Sequence, residues 1–455
     1  MHSTATNPVS VECGGDGVAA HVGLHALGAL ADRLNLGASL SSRIAPRGER
    51  MPLHDRGKVL VQMALVLAGG GESCADIEHL RVQEELFGSV PSDSTVFRTL
   101  HEFGAAQRAS LAEALADVRA RVWQRVDQTS SDPVILDFDA SLVDVHSELK
   151  EQAAPTYKKG FGFHPLFCFA DLTGETLAAK LRSGNAGSNT VTDHVEVFDA
   201  AIGQLPARVA QRHHRGDDPS LVTREVIARA DGAGCTEGFL GACRERNVTF
   251  FVTARSNAQI TGAIYETSDQ PDLWQPSRTQ KGEPHAEAAV CEMTEHLDLT
   301  SMPEGTRCII RREPLHPGVQ RSLFPSHAFR YWGFYTDAAG DPVALDVTMR
   351  AHAHVESHIQ RLKESGLCRF PFTSFEANSN WLMTVALAGD LVRWFQLLCL
   401  EGPWKEARPK ALRWEIFHAP GRLIYRSRRR IVRLLEGWPS ATVLLNAYQR
   451  IALLT

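Results

Sequence analysis

A chain of 455 residues is too long for one ordinary core, so two or three units are expected; 44% hydrophobic and 22% charged residues are typical of a soluble globular protein. No apolar stretch reads as long enough to span a bilayer, and the N-terminal MHSTATNPVSVECGGDG lacks a signal-peptide core, which points to a cytosolic protein with no membrane partner. The net charge of −5 argues against bulk attraction to nucleic acid, but residues 401–455 carry eleven Lys or Arg against four acids, which marks either an anionic partner reached through one region or a solvated basic face.

Residues 20–128 read as helical. GLHALGALADRLNL and GKVLVQMALVLAGG space their apolar residues for helices and end in Asn or Gly. VPSDSTVFRTLHEF opens on Ser and Asp cap candidates and runs into a short amphipathic helix carrying Arg98. That pattern fits a DNA-reading helix-turn-helix or a plain helical bundle. AAQRASLAEALADVRARVWQRV forms a long connecting helix, and residues 1–128 are taken as a helical N-terminal DNA-binding domain.

From 130 the pattern changes. PVILDFDASLVDVH, FHPLFCFADL and GETLAAKLRS read as three consecutive strands, and TDHVEVFDAAIGQL as a helix. REVIARADGAG brings a strand to an aspartate, TEGFLGACRERN is a helix and VTFFVTARS another strand. This is the element order of an α/β, ribonuclease-H-like core, with its first part at 129–256. Residues 257–327 are richer in Pro, Gly and charge and read as an inserted β-rich subdomain. RYWGFYTD resumes the core (328–400) as a strand, and 343–366 forms one long helix ending at Gly366. The basic region 401–455 ends in two β-like stretches, GRLIYRSRRRIVRLLEG and ATVLLNAYQRIALL. The nine cysteines show no CxxC spacing and read as reduced thiols without a zinc site, and QRHHRGDDP, with His213 and His214, reads as a solvated loop.

The chemistry-bearing residues are acids. In VILDFDAS, Asp137 and Asp139 are two positions apart, so a strand puts both carboxylates on one face, where like charges repel. Asp231 in ARADGAG follows a strand, where ligand sites of open α/β sheets gather, and Glu356 lies on the long helix. Taken singly, the aspartates read equally as turn or helix caps and the glutamate as solvated. Taken together, Asp139, Asp231 and Glu356, 92 and then 125 residues apart, suit a pair of divalent ions. Hard cations such as Mg²⁺ stabilise clustered carboxylates, and two of them about 4 Å apart serve both the attacking and leaving oxygens of a phosphodiester.

LDFDASLVDVHS, TYKKGFGFHPLFCF, LRSGNAGSNTVTDH, ARADGAG, VESHIQRLKESGL and FEANSNWL together carry a resemblance. The chain resembles the DDE transposases of bacterial insertion sequences, specifically the thirteen-eighty family, a relative of the hairpin-forming insertion-sequence-four group. The resemblance implies a catalytic triad Asp139, Asp231, Glu356 holding two Mg²⁺, with Mn²⁺ able to substitute. It makes Asp137 either a group behind the ligands or an alternative first ligand. It also implies that Lys363, two helical turns after Glu356, binds phosphate. Trp332 either stacks on a flipped base or fills the core. Arg255 contacts DNA phosphate or is merely solvated, and Lys158 and Lys159 in YKKGFGFHP suit the DNA backbone. GNAGSNT lacks the ending of a phosphate-cradling P-loop; Asn185 and Asn189 contact DNA or cap its turn. The Tyr and Arg that related enzymes place seven and four residues before the Glu are Met349 and His352 here, and Arg350 or His352 are the nearest replacements.

The implied function is cut-and-paste transposition. Water nicks a transposon end, the freed 3′-OH attacks the opposite strand to form a hairpin, water reopens it, and the 3′-OH joins target DNA. Partners are the terminal inverted repeats and target DNA, bound by a homodimer in the bacterial cytoplasm at the nucleoid. Two other readings stay open: a structure-specific metal-dependent nuclease without strand transfer, and an inactive DNA-binding transposase derivative.

Overall fold

Runs of β-branched and aromatic residues between 134 and 336 assemble into one mixed nine-stranded sheet. The structure, a computed structural model, describes residues 13–44, 53–126, 131–315 and 329–454. The N-terminal part supplies α1 (Val22–Arg33), α2 (Arg56–Ala68), α3 (Asp93–Glu102) and α4 (Ala105–Val126), with shorter turns between them. The sheet strands are β1 (Val134–Ala140), β2 (Leu166–Ala170), β3 (Glu175–Lys180), β4 (Val226–Ala230), β5 (Thr249–Thr253), β6 (Gln275–Arg278), β7 (Pro284–Glu292), β8 (Arg307–Pro314) and β9 (Phe329–Thr336). Helices α5 (Val191–Ile202), α6 (Glu237–Glu245) and α7 (Ala258–Thr267) interrupt them. After the sheet come α8 (Pro342–Arg350), α9 (His354–Leu362), α10 (Phe375–Cys399), a hairpin of β10 (Gly421–Arg426) and β11 (Arg429–Leu434), and α11 (Ala441–Leu453).

The strand order is β6-β7-β8-β9-β5-β4-β1-β2-β3. The central strands β1, β4 and β5 run parallel, and the outer pairs are antiparallel. Parallel neighbours need crossover connections, and α5 and α6 lie within them. Period-two alternation sorts β1 cleanly. Leu136 and Phe138 face the helix side, where Phe138 meets Phe198 of α5 and Phe239 of α6 edge-on at 5.7 and 5.3 Å. On the other face Val343, Leu345 and Met349 of α8 pack over Ile227, Phe251 and Phe334, with Ile135 at the margin. Asp341 caps α8 through the Ala344 N–H, ahead of Pro342 in the first turn.

The N-terminal helices do not close a core of their own. Their buried leucines and valines form a single cluster with Trp381, Val385, Leu391 and Phe395 of α10, Leu444 and Ile451 of α11, and Phe167 and Phe169 of β2. Helix α3 is tied to α10 by the Asn380 amide, which donates to the Leu100 and Phe103 carbonyls, while Arg98 folds back onto Ser94. A buried ion network joins bundle and sheet: Arg119 bonds Glu175 (2.9 Å) and Asp390 (2.5 Å), and the Trp123 and Trp394 indoles both donate to Glu175 at 2.6 Å.

Several expectations are corrected. Residues 441–453 are helical, not β: a short apolar run fits either period, and Leu444, Ala447 and Ile451, three and four apart, are the buried ones. The 257–327 region opens with a helix, and β6, β7 and β8 extend the main sheet through β9. The expected long helix at 343–366 is α8 and α9 joined by a 3₁₀ turn at Ala351–Ala353, with a wide π turn after Leu362. His213 is buried, with its ring nitrogens against the Arg224 and Arg246 carbonyls. Among the described residues one helix, Phe375–Cys399, is in fact long and apolar enough to cross a membrane; 72% of its most apolar window is buried inside the protein, as befits the axle of a bundle.

Candidate active site

The register of β1 and β4 brings the acids together. Asp137 pairs across with Arg229 and Phe138 with Ala230, so Asp139 near the end of β1 comes next to Asp231, the first residue after β4. One oxygen of each is already taken: Asp139 Oδ1 accepts the Ala140 N–H (2.7 Å) and Asp231 Oδ1 the Ala233 N–H (2.8 Å). Glu356 sits exposed in the first turn of α9, the helix packed over β1. Burial chiefly, and then the negative charges of Asp231 and Glu356, push the Asp139 carboxyl up to about 6 against the pull of the Ala140 N–H and His352.

Asp137 has a different environment. It is fully buried, and Arg229 grips it with two bonds, Nε to Oδ1 at 2.8 Å and Nη2 to Oδ2 at 2.5 Å. His352 donates from Nδ1 to Oδ1 at 2.8 Å. Burial alone would raise its pKa; the His352 and Arg229 hydrogen bonds outweigh it and hold the carboxyl below its usual range. Arg229 also reaches Asp171 (2.9 Å) and the Thr348 carbonyl (2.8 Å), and Asp171 takes His354 at 3.0 Å. This network, running from β1 and β4 to both ends of the 351–353 turn, fixes the helix that carries Glu356.

Arg255 and Trp332 lie toward the same end of the central strands. Arg255, just past β5, donates from Nε to the Gly232 carbonyl at 2.6 Å, next to Asp231. Trp332 of β9 falls level with Arg255 and lines a cleft of 400 Å³ with Tyr265 and Tyr331. Lys158 and Lys159 project from a tight turn whose backbone closes between Thr156 and Gly160, with Lys159 in the left-handed region (φ 67°). The charges of Asp231 and Lys158 both act on the buried His164 ring, so that turn flanks the acids. Gly162 and Gly184 let it seat: a Cβ on Gly184 would meet the Ala154 and Gly162 carbonyls at 2.3 and 2.4 Å. Lys363 caps the C-terminus of α9, two turns past Glu356.

The donor set is all oxygen, and among the described residues no three His, Cys, Asp or Glu side chains group tightly enough for one closed metal cage. Oxygen donors are the kind a hard cation such as Mg²⁺ takes, with water and substrate phosphate completing its octahedron.

A model of the family described as Transposase DDE domain group 1 matches residues 1–455. The chain belongs to this transposase family. Among solved structures it is similar to a piggyBac transposase, determined by cryo-EM in a synaptic complex with hairpin DNA, at 10% identity and a TM-score of 0.41 over 87% of this chain and 79% of that one. So distant a similarity does not bear on activity. No curated protein matches the sequence.

In this DDE-family chain the positions of the missing Tyr and Arg are occupied structurally. Met349 is buried on the sheet-facing side of α8, and His352 is committed to Asp137. Arg350 pairs with Asp346 at 3.0 Å and bonds the Arg278 carbonyl. None of the three is turned out toward a phosphate. Sequence reasoning passed over Arg229 and Asp171. A signal was there: Arg229-x-Asp231 repeats the spacing of Asp137-x-Asp139, so pairing the two strands in parallel aligns Arg229 with Asp137.

Proposed function

We propose that the protein is the cut-and-paste transposase of a bacterial insertion sequence of the thirteen-eighty family, built on a ribonuclease-H-like core, with Asp139, Asp231 and Glu356 holding two Mg²⁺ ions. The observation that carries this is Asp139 beside Asp231 at the ends of parallel strands with Glu356 over them, in a chain that belongs end to end to a DDE transposase family.

Such ions, when bound, supply Lewis acidity to the attacking and leaving oxygens of a phosphodiester. The protein's own part is positioning. Asp139, whose carboxyl feels the charge of both other acids, would hold such ions together with Asp231 and Glu356. Asp137, saturated by Arg229 and His352, supports β1 from behind and leaves coordination to Asp139. Arg255, Lys158, Lys159 and Lys363 offer cations to DNA phosphates, and Trp332 offers a stacking face beside its cleft. Nicking, hairpin closure, reopening and joining to target are all in-line displacements at phosphorus, with water or a 3′-OH entering and a 3′ oxygen leaving. No covalent enzyme intermediate is needed, so geometry and charge supply the rate. The partners are the inverted repeats and target DNA, two ends being joined by a homodimer at the nucleoid.

The test is incubation of purified protein with duplexes ending in the element's flanking repeats, with and without Mg²⁺, scored on denaturing gels. Nicks, then hairpins, then joined products are expected. Cleavage without any joined product points to a nuclease, and cleavage that survives Asp139→Asn rejects the assigned site.

A further inference from the structure

The 421–434 hairpin holds six arginines and no acid in a chain of net charge −5. Its register is Arg422↔Arg433, Leu423↔Val432, Ile424↔Ile431, Tyr425↔Arg430 and Arg426↔Arg429. Residues directly opposite share a face, so one face reads as an arginine pair, an isoleucine pair and a second arginine pair. The other face is the anchor: Leu423 is buried, and Val432 and Leu434 pack on the bundle core. The short strand Val18–Ala19 pairs with Arg422 and Gly421, and among the described residues no third strand flanks the distal part of the hairpin, which touches the bundle where Arg430 meets the Glu85 carbonyl. Its turn, Ser427–Arg428, has φ of 49° and 63°, the left-handed pair that matches the twist of a hairpin, made here without glycine.

Like charges placed directly opposite destabilise a ribbon, and this one stacks two such pairs. Arg422 donates to the Asp16 carbonyl, and no carboxylate among the described residues pairs with Arg426, Arg428, Arg429 or Arg433. A protein that keeps four arginines in such register has left their counter-charge to a ligand. The shape selects which one. A two-stranded ribbon enters the B-DNA major groove, about 12 Å wide, where arginine reads guanine and apolar side chains meet the thymine methyl. The duplex RNA major groove is too deep and narrow for side chains to read.

We infer that β10–β11 is a DNA-binding ribbon that lays its Arg422, Arg426, Arg429 and Arg433 face along the major groove of duplex DNA. This rests on the transposase reading for the presence of DNA but not on the triad assignment.

The test measures binding of the full-length protein to a random-sequence DNA duplex across a KCl series. It compares wild type, the quadruple Arg→Gln change at 422, 426, 429 and 433, and the same four changed Arg→Lys. The Gln protein should bind more weakly, with a log K against log [KCl] slope shallower by about 3 to 4, since each lost phosphate contact removes about 0.9. The Lys protein should keep the wild-type slope, and the Gln protein should melt no lower than wild type because two repulsive pairs are gone. Should the quadruple Gln protein not fold, Arg426→Gln with Arg429→Gln, at the tip beyond the 18–19 strand, gives the same readout at about half the slope change. Equal affinity and slope for wild-type and Gln proteins overturn the ribbon, with the transposase reading untouched if Asp139→Asn still abolishes cleavage. A Gln protein that loses duplex RNA or anionic vesicles but holds DNA as before also overturns it. Wild type that binds no DNA duplex overturns both.

Discussion

Asp137 and Asp139 share a strand, a face and a charge, yet two residues of travel toward the sheet edge give them opposite properties. Asp137 is held below its usual pKa range by its His352 and Arg229 bonds; Asp139 is pushed up to about 6, chiefly by burial and then by two nearby acids. Asp139→Asn should therefore reduce Mg²⁺-dependent strand cleavage to background while DNA binding persists in a gel-shift assay. His352→Ala should leave a weaker enzyme, lower by roughly 10–100-fold in activity or Mg²⁺ affinity, because it removes a support and not a ligand. If both its kcat and its Mg²⁺ dependence equal wild type's, the support role fails. The pH dependence has a definite sign. The folded Asp139 pKa of about 6 lies above the ordinary 3.8, so this group's contribution to stability is complete below about pH 4 and is lost as pH rises through 6. Without metal, wild type should lose melting temperature between pH 4 and 7 relative to Asp139→Asn, and Mg²⁺ should restore more of it at the upper end. Parallel melting curves for the two proteins across that range would rule out the assigned shift.

At the scale of elements, the site depends on one joint: parallel strands β1 and β4 clamped to the α8–α9 segment by Arg229. The pair is wholly buried, so breaking one side leaves an uncompensated charge. Arg229→Met should cost about 3–5 kcal/mol in urea unfolding. The paired change with Asp137→Leu should recover much of that while leaving activity impaired, since a well-packed apolar pair replaces the ions but not their bond to His352. If the single change costs no more than a surface substitution, the clamp is not stabilising. Sequence legibility also divides by element. The strands ending at Asp139 and Asp231, the helix of Glu356 and the turn of Lys158 were readable because strong alternation or caps marked them. Helix α11 was not, because fourteen apolar-rich residues suit either period until something decides which face is buried. The break between α8 and α9 was also hidden, since AHAHVE carries no proline or glycine; the two histidines there turn to Asp137 and Asp171.

At the scale of the molecule, the N-terminal helices, α10 and α11 share one core, although nearly the whole sheet lies between them in sequence. A fragment of residues 13–126 should therefore lack a cooperative thermal transition, and removal of 401–455 should expose the bundle surface that Phe417, Leu444 and Ile451 cover and lower the melting temperature markedly. A sharp transition in the isolated fragment, followed by circular dichroism, would show an autonomous domain instead. What the sequence determined by itself was local: where chain direction changes, which residues alternate, which acids end strands. Those follow from periodicity and caps within a few residues. Which acid is caged and which is open, which arginine answers Asp137, and where the 441–453 segment buries its leucines were decided only by tertiary structure. Each depends on a partner roughly a hundred or more residues away, and burial strengthens such charge pairs only once the chain has brought both members out of water.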